Sequence, residues 1–289
     1  MRVVAAGGSG FLGTRLVDAL RADGHDVLVL TRRPGGAGQV AWAQADAAID
    51  GADAVVNLAG ESLEAGRWTA ERKQRILDSR VAATRVVVDA IARAPRPPGV
   101  FLSASAIGIY GPRDDQPVTE ATAPAGDFLA SVCVAWEREA RVAESKARVV
   151  LLRTGLVLDA AGGALPRLAL PFRFFAGGPL GSGHQWWSWI HVDDWVGMVR
   201  WAIDHASVSG PVNLTAPAPV TNREFAKTLG RVLRRPALLP APAIALRVML
   251  GEMADALILT GQRVLPQRAI DAGYAFRFPT LEPAVRDLF

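Results

Sequence analysis

Apolar residues arrive in short unbroken runs through the first half of the chain, and most of these runs lead into an amphipathic stretch. Compact runs rich in β-branched residues and Leu are what strands covered on both faces require. They predict strands at Arg2–Ala6, Val27–Leu30, Val40–Trp42, Ala54–Leu58, Val100–Ser103 and Arg148–Arg153. The spacing predicts helices at Phe11–Asp23, Ala70–Arg93 and Phe128–Ala143, the second ended by the stiff connector Pro95-Arg96-Pro97-Pro98-Gly99. Strand alternating with helix gives an α/β fold, a doubly wound parallel sheet with helices on both faces.

After Arg153 the pattern changes. Glycines and prolines cluster from Gly162 to Gly183, followed by Trp186, Trp187 and Trp189 and a short strand at Val212–Leu214. Thr221 and Glu224 stand at capping-box spacing and open a helix to about Leu233; Pro240–Phe289 reads as small helices and turns. Residues 1–158, with a returning segment at about 190–214, therefore form one nucleotide-binding domain. Residues 159–189 and 215–289 form a smaller substrate lobe over the carboxyl edge of the sheet, where open α/β sheets bind ligands.

The first predicted strand runs directly into Gly7, Gly10 and Gly13. In a strand–glycine–helix context this spacing allows a tight turn, a close approach of backbone to a pyrophosphate, and close helix–strand packing. The helix that follows directs its N-terminal amides at the phosphate. At the end of the second strand, where an acid normally binds the ribose of NAD, there is no Asp or Glu between Val27 and Gly38; Thr31, Arg32 and Arg33 stand there instead. Guanidinium forks suit a phosphate, so the cofactor is read as NADP(H), with a solvated surface pair as the alternative.

At 289 residues, half of them apolar and 21% charged, the chain has an ordinary globular balance. With a first strand beginning at Arg2, no targeting peptide is expected, and the lone Cys133 fits a reducing cytoplasm. The apolar stretch Ala237–Leu250 is broken by Pro240, Pro242 and Arg247, so no membrane span is expected. Net charge is +4 with arginines scattered among acids, which argues against a nucleic-acid partner; four dispersed histidines and one cysteine offer no metal-ligand spacing.

Together, GGSGFLG, Asn57-Leu-Ala-Gly60, SASAIGIYG (Ser103–Gly111) and WIHVDD (Trp189–Asp194) resemble an extended short-chain dehydrogenase/reductase, a Rossmann-fold family. Gly60-Glu61, Arg67-Trp68, Ser79-Arg80, Cys133 with Trp136-Glu137, and GQRVLPQRAIDAGYAFRFPTL are similar to its atypical "epimerase family protein" branch, which carries a C-terminal domain of unknown function. The resemblance covers essentially the whole chain. It implies cofactor contacts at Gly7, Ser9, Gly10, Phe11, Leu12, Gly13, Thr31, Arg32, Arg33, Leu58, Ala59, Gly60, Arg80, Ser103 and Val157. It also implies a homodimer built from the helices at 70–93 and 128–143.

Catalysis in the extended family uses a Tyr with a Lys four residues later. The two tyrosines here, Tyr110 and Tyr274, are followed at that distance by Asp114 and Phe278; Cys133 and Glu137 occupy the corresponding helix positions. Three catalytic candidates remain. Ser105, just past the fifth strand, matches the family's hydroxyl with a one-residue shift. Tyr110 either turns its phenol into the pocket or packs the loop. Cys133 is either a weak acid whose pKa Glu137 raises, or a small buried hydrophobe.

Further readings stay double. Glu61 is a base or a charge capping the long helix; Arg80 reaches the cofactor or is solvated; His191 is an acid–base or a structural residue. The three tryptophans line a substrate slot or pack the lobe. The implied function is an NADP(H)-dependent oxidoreductase or epimerase-like enzyme of a small molecule, with an inactive NADPH-binding sensor or scaffold as the alternative.

Overall fold

The computed structural model describes residues 1–289. Its N-terminal half runs β1 (Arg2–Ala6), α1 (Phe11–Ala22), β2 (Asp26–Thr31), β3 (Gln39–Ala41), α2 (Ala45–Ile49), β4 (Ala54–Asn57), α3 (Ala70–Arg93), β5 (Val100–Ala106), β6 (Pro117–Val118) and α4 (Phe128–Arg141). The chain continues as β7 (Arg148–Thr154), β8 (Leu156–Asp159), β9 (Gly162–Gly163), α5 (Leu165–Arg173), β10 (Trp186–Trp187), β11 (Trp189–His191), α6 (Val192–Asp204) and β12 (Gly210–Leu214). Last come β13 (Val220–Thr221), α7 (Asn222–Leu233), α8 (Ala243–Leu250), α9 (Glu252–Ala254), β14 (Arg263–Val264), α10 (Gln267–Asp271) and α11 (Leu281–Leu288).

Seven parallel strands form the central sheet in the order β12-β7-β5-β4-β1-β2-β3. The winding reverses between β1 and β4, and ligands of open α/β sheets bind at such a switch point. Residues Val3–Ala6 are inaccessible to solvent; Val3 and Ala5 pack toward α1 and α6, while Val4 and Ala6 pack toward α2 and α3. That two-sided burial, about 1.5–3 kcal/mol for each large apolar side chain, explains why the strands read as continuous apolar runs.

β8, absent from the strands read from sequence, pairs with β11 and β9. A third apolar cluster carries the C-terminal region: Trp187 and Trp189 pack with Phe172, Phe225, Leu229 and Val285, so these two tryptophans fill the lobe rather than wall a slot. Thr221 and Glu224 form the expected reciprocal cap of α7. His191 caps α6, its Nδ1 accepting the Asp193 amide at 3.1 Å, and Asp194 accepts the amides of Arg277 and Phe278 at 2.8 Å each. The WIHVDD segment thus pins the C-terminal region to the sheet. No helix is long and apolar enough to cross a membrane.

Candidate functional site

The glycine turn opens at the carboxyl end of β1. Gly7 has φ +77°, and a Cβ there would lie 2.8 Å from the Leu58 and Ala59 backbone, so the β1 and β4 loops touch. At Gly13 a Cβ would come within 2.3 Å of the Gly7 oxygen, which makes this glycine a packing requirement of the fold. Gly10 differs. It is exposed, and its Cβ would meet only the Gly7 oxygen, at 3.4 Å. Nothing within the protein demands a bare backbone there; a phosphate resting on the turn from outside does.

Around this turn Ser9, Phe11 and Gly60 are exposed, and Leu12, Leu58 and Ala59 are half-buried. The Phe11 ring lies against Gly162 and Gly163, so the β8–β9 turn roofs the start of α1. Arg15 fixes that roof with two bonds to Asp159, at 2.7 and 2.9 Å. At the tip of β2, Thr31 Oγ1 accepts the Arg33 amide, and Arg32 and Arg33 extend into solvent without a carboxylate partner. These donors fit the charge and shape of a phosphorylated dinucleotide.

Beyond β4, Asn57 accepts the Ala59 amide at 3.1 Å and donates to Thr84 at 2.9 Å, and Trp136 donates to the same hydroxyl at 2.9 Å. Thr69, not Glu61, caps α3, and Glu61 accepts a hydrogen bond from Arg72 Nη1 at 2.8 Å. Arg80 is not the solvated alternative: it lies half-buried against Gly60 and over the Trp136 ring. Ser103 sits level with Asn57, fully buried, and Val157 packs beneath the sheet edge in β8.

Ser105 lies within β5, which runs three residues longer than the sequence suggests. Its hydroxyl donates to Glu137 Oε1 at 2.7 Å. Arg153 Nε and Nη2 grip the same carboxylate at 2.8 and 2.9 Å, and all three side chains are buried. Burial opposes the Arg153 charge, but the bonds to Glu137 outweigh it and hold the guanidinium above its ordinary pKa. The helix position expected to carry a lysine thus carries an acid, and its countercharge comes from β7.

Tyr110 does not face a pocket. Its ring is wholly enclosed, and its hydroxyl accepts Arg153 Nη1 at 2.9 Å and donates to Asn213 Oδ1 at 2.6 Å. Enclosure raises its pKa despite Arg153. Cys133 is 3% exposed, with its thiol directed at the Ala106 carbonyl, 3.7 Å away. Burial pushes that thiol up to about 11; Glu137, the cause expected from sequence, is a lesser contributor. The Glu137–Arg153–Tyr110–Asn213 chain escapes sequence reasoning because its members lie on four separate elements. Only the Cys133/Glu137 spacing hints at it.

A cavity of about 210 Å³ opens between the loop after β5, the start of α4 and the C-terminal region, lined by Trp68, Gly108, Phe128, Glu252 and Gln262 among others. A larger one, about 500 Å³, lies at the opposite edge of the sheet around Arg148 and Arg268 and away from this chemistry.

Residues 3–214 match the NAD dependent epimerase/dehydratase family, and residues 241–288 match a domain of unknown function, DUF1731. The chain is 38% identical over 293 residues to human Epimerase family protein SDR39U1, covering 100% of this chain and 99% of that one. It is 42% identical over 299 residues to Epimerase family protein YfhF of Bacillus subtilis, covering 100% and 98%. A crystal structure of the human protein (isoform2) with NADPH superposes with a TM-score of 0.95 at 37% identity, covering 100% and 99% of the two chains. The UDP-N-acetylglucosamine 4-epimerase of Bacillus cereus shares the fold, with a TM-score of 0.80 at 18% identity over 100% of this chain and 95% of that one. With its glycine turn at the switch point and these matches over nearly its whole length, the chain belongs to the NAD dependent epimerase/dehydratase family.

Proposed function

We propose that this protein is an NADP(H)-dependent oxidoreductase or epimerase-like enzyme that acts on a small molecule in the cytoplasm. The observation that carries the cofactor is the pairing of a bare, unobstructed Gly10 with two unpartnered arginines at the tip of β2. The human relative crystallised with NADPH supports it. When bound, the cofactor supplies or accepts hydride. Gly7, Gly10 and the α1 amides hold its pyrophosphate, and Arg32 with Arg33 holds its ribose phosphate.

Ser105 is the side chain proposed to meet substrate. Its proton is committed to Glu137, so it presents lone pairs and accepts a bond from a substrate hydroxyl or an ordered water. Tyr110 acts indirectly, holding Arg153 in place. Cys133 remains a protonated thiol beside Ser105, able to serve only as a weak acid. Nucleic acid and membrane are not partners in this reading, and pairing of two copies runs through α3 and α4, which Arg85 and Glu139 already bridge at 2.9 Å.

Incubation with NADPH and a panel of carbonyl compounds, followed at 340 nm, tests the enzyme. Turnover that Ser105→Ala removes supports it. Tight NADPH binding without turnover on any compound supports the sensor reading instead, which the buried, bonded state of Glu137 and Tyr110 favours.

A further inference from the structure

The cavity of about 500 Å³ lies between the end of α4, the starts of β7 and β12, and α10, with Arg141, Glu144, Arg148, Ser209, Gly210 and Arg268 on its rim. Its volume is that of a small-ligand pocket. Open α/β sheets bind cofactor and substrate at the carboxyl ends of their strands, so a cavity at the amino ends of β7 and β12 is separate from the glycine turn and from Ser105.

Three arginines and one glutamate give this rim an excess of two positive charges. Glu144 is committed to Arg141, whose Nη1 donates to it at 2.8 Å. Neither the Arg148 nor the Arg268 guanidinium pairs with a carboxylate. Arg148 donates to the carbonyls of Ala202 and Ile203, at 2.9 Å each, and to that of Val208, which satisfies the last turn of α6. These carbonyls are neutral acceptors, so the positive charge stays uncompensated. Burial lowers the Arg148 pKa with no carboxylate to oppose it, and a guanidinium so placed is still a cation. Arg268 uses one of its five side-chain donors, on the Ser209 carbonyl.

Arg268 is held in position from both ends. Gly210 has φ +69°, and a Cβ there would lie 3.3 Å from Arg268 Nη1, so the glycine lets this side chain lie across the start of β12. The Arg268 amide faces the Glu120 carboxylate, 3.4 Å from each oxygen, and Glu120 also accepts the Asn213 amide at 3.0 Å. The backbone of α10 is thereby fastened to β12, and the guanidinium reaches the cavity from a fixed base.

We infer that this cavity is a binding site for a phosphate monoester, with Arg141, Arg148 and Arg268 around the phosphate. Three guanidiniums from three separate elements face one space, and their planar forks suit phosphate oxygens. A phosphate monoester, at about −1.5 to −2 near pH 7, matches the excess charge of the rim. With about 500 Å³ available, the cavity also has room for the organic part of the ester. The site is independent of the NADP(H) reading.

Calorimetric titration of the full chain at low salt, with ribose 5-phosphate and inorganic phosphate as probes, tests it. The expected result is ribose 5-phosphate binding tighter than about 1 mM and tighter than inorganic phosphate. Arg268→Met is expected to weaken it about 10-fold or more, the worth of a charged hydrogen bond, with partial recovery in Arg268→Lys. Arg141→Gln changes an exposed side chain at the end of α4 and should also lose affinity. Arg32→Ala, at the tip of β2, should leave binding unchanged. Undiminished affinity in both Arg268→Met and Arg141→Gln, or a loss in Arg32→Ala instead, overturns the inference, as does failure of the unaltered protein to bind either probe. Inorganic phosphate binding the tighter of the two overturns the assignment to an ester.

Discussion

Glu137 and Arg153 meet through two parallel hydrogen bonds, 2.8 and 2.9 Å long, with both side chains at 7% exposure. Where relatives of the extended family place a cation to serve a tyrosine, this chain has buried an acid and neutralised it from an adjacent strand. Removing one partner leaves an uncompensated charge. Glu137→Ala or Arg153→Met is expected to cost about 3–5 kcal/mol in urea unfolding, and Glu137→Met with Arg153→Met together to cost less than either alone. Additive losses in the pair would show that the two side chains do not act as a unit.

Gly10 and Gly13 should fail differently. Gly13→Ala drives a Cβ to 2.3 Å from a backbone oxygen and lowers the melting temperature by several degrees. Gly10→Ala meets one atom at 3.4 Å, so it should melt within a degree or two of the parent and lose NADPH affinity. Thermal melts with and without NADPH separate the two outcomes.

Cys133 should resist alkylation in the native state. Burial that holds the thiol at about 11 leaves little thiolate at pH 8, so iodoacetamide labelling should wait for denaturant. Rapid native labelling would show the helix open at this point.

His191 makes stability depend on pH. Its Nδ1 accepts an amide and its surroundings are dry, so burial lowers its pKa although Asp193, Asp287 and Asp194 raise it and Arg277 opposes them. The unfolded chain therefore takes the proton first. Stability is full above the unfolded value of about 6.5 and declines as pH falls below it through the folded value. His191→Asn retains a capping acceptor and should flatten that decline. A profile unchanged by the substitution would assign it to other groups.

The parallel sheet was legible because each strand is buried on both faces, which leaves uninterrupted apolar runs; Arg2–Ala6 and Ala70–Arg93 coincide with the elements read from sequence. β8 and α5 were harder: glycines and prolines crowd around them, and β8 is stabilised by β11, more than thirty residues away in sequence. The glycine turn and Arg32 were legible as local motifs. The Glu137–Arg153 pair and the bonds from Tyr110 to Arg153 and Asn213 were not, since they depend on which strands become neighbours in the sheet. The buried alternative read for Cys133 is the one the packing around α4 produces, whereas Glu137, the influence on its pKa read from the i,i+4 spacing, is secondary to that burial.

The central claim is that the β1 turn and the β2 tip select a phosphorylated dinucleotide. Parallel calorimetric titrations of the protein and of Arg32→Ala with NADPH and NADH test it most directly. The account predicts NADPH binding at least about 100-fold tighter than NADH, with most of that preference, worth about 2.7 kcal/mol, lost in Arg32→Ala while NADH affinity holds. Equal affinity of the unaltered protein for NADPH and NADH would contradict it.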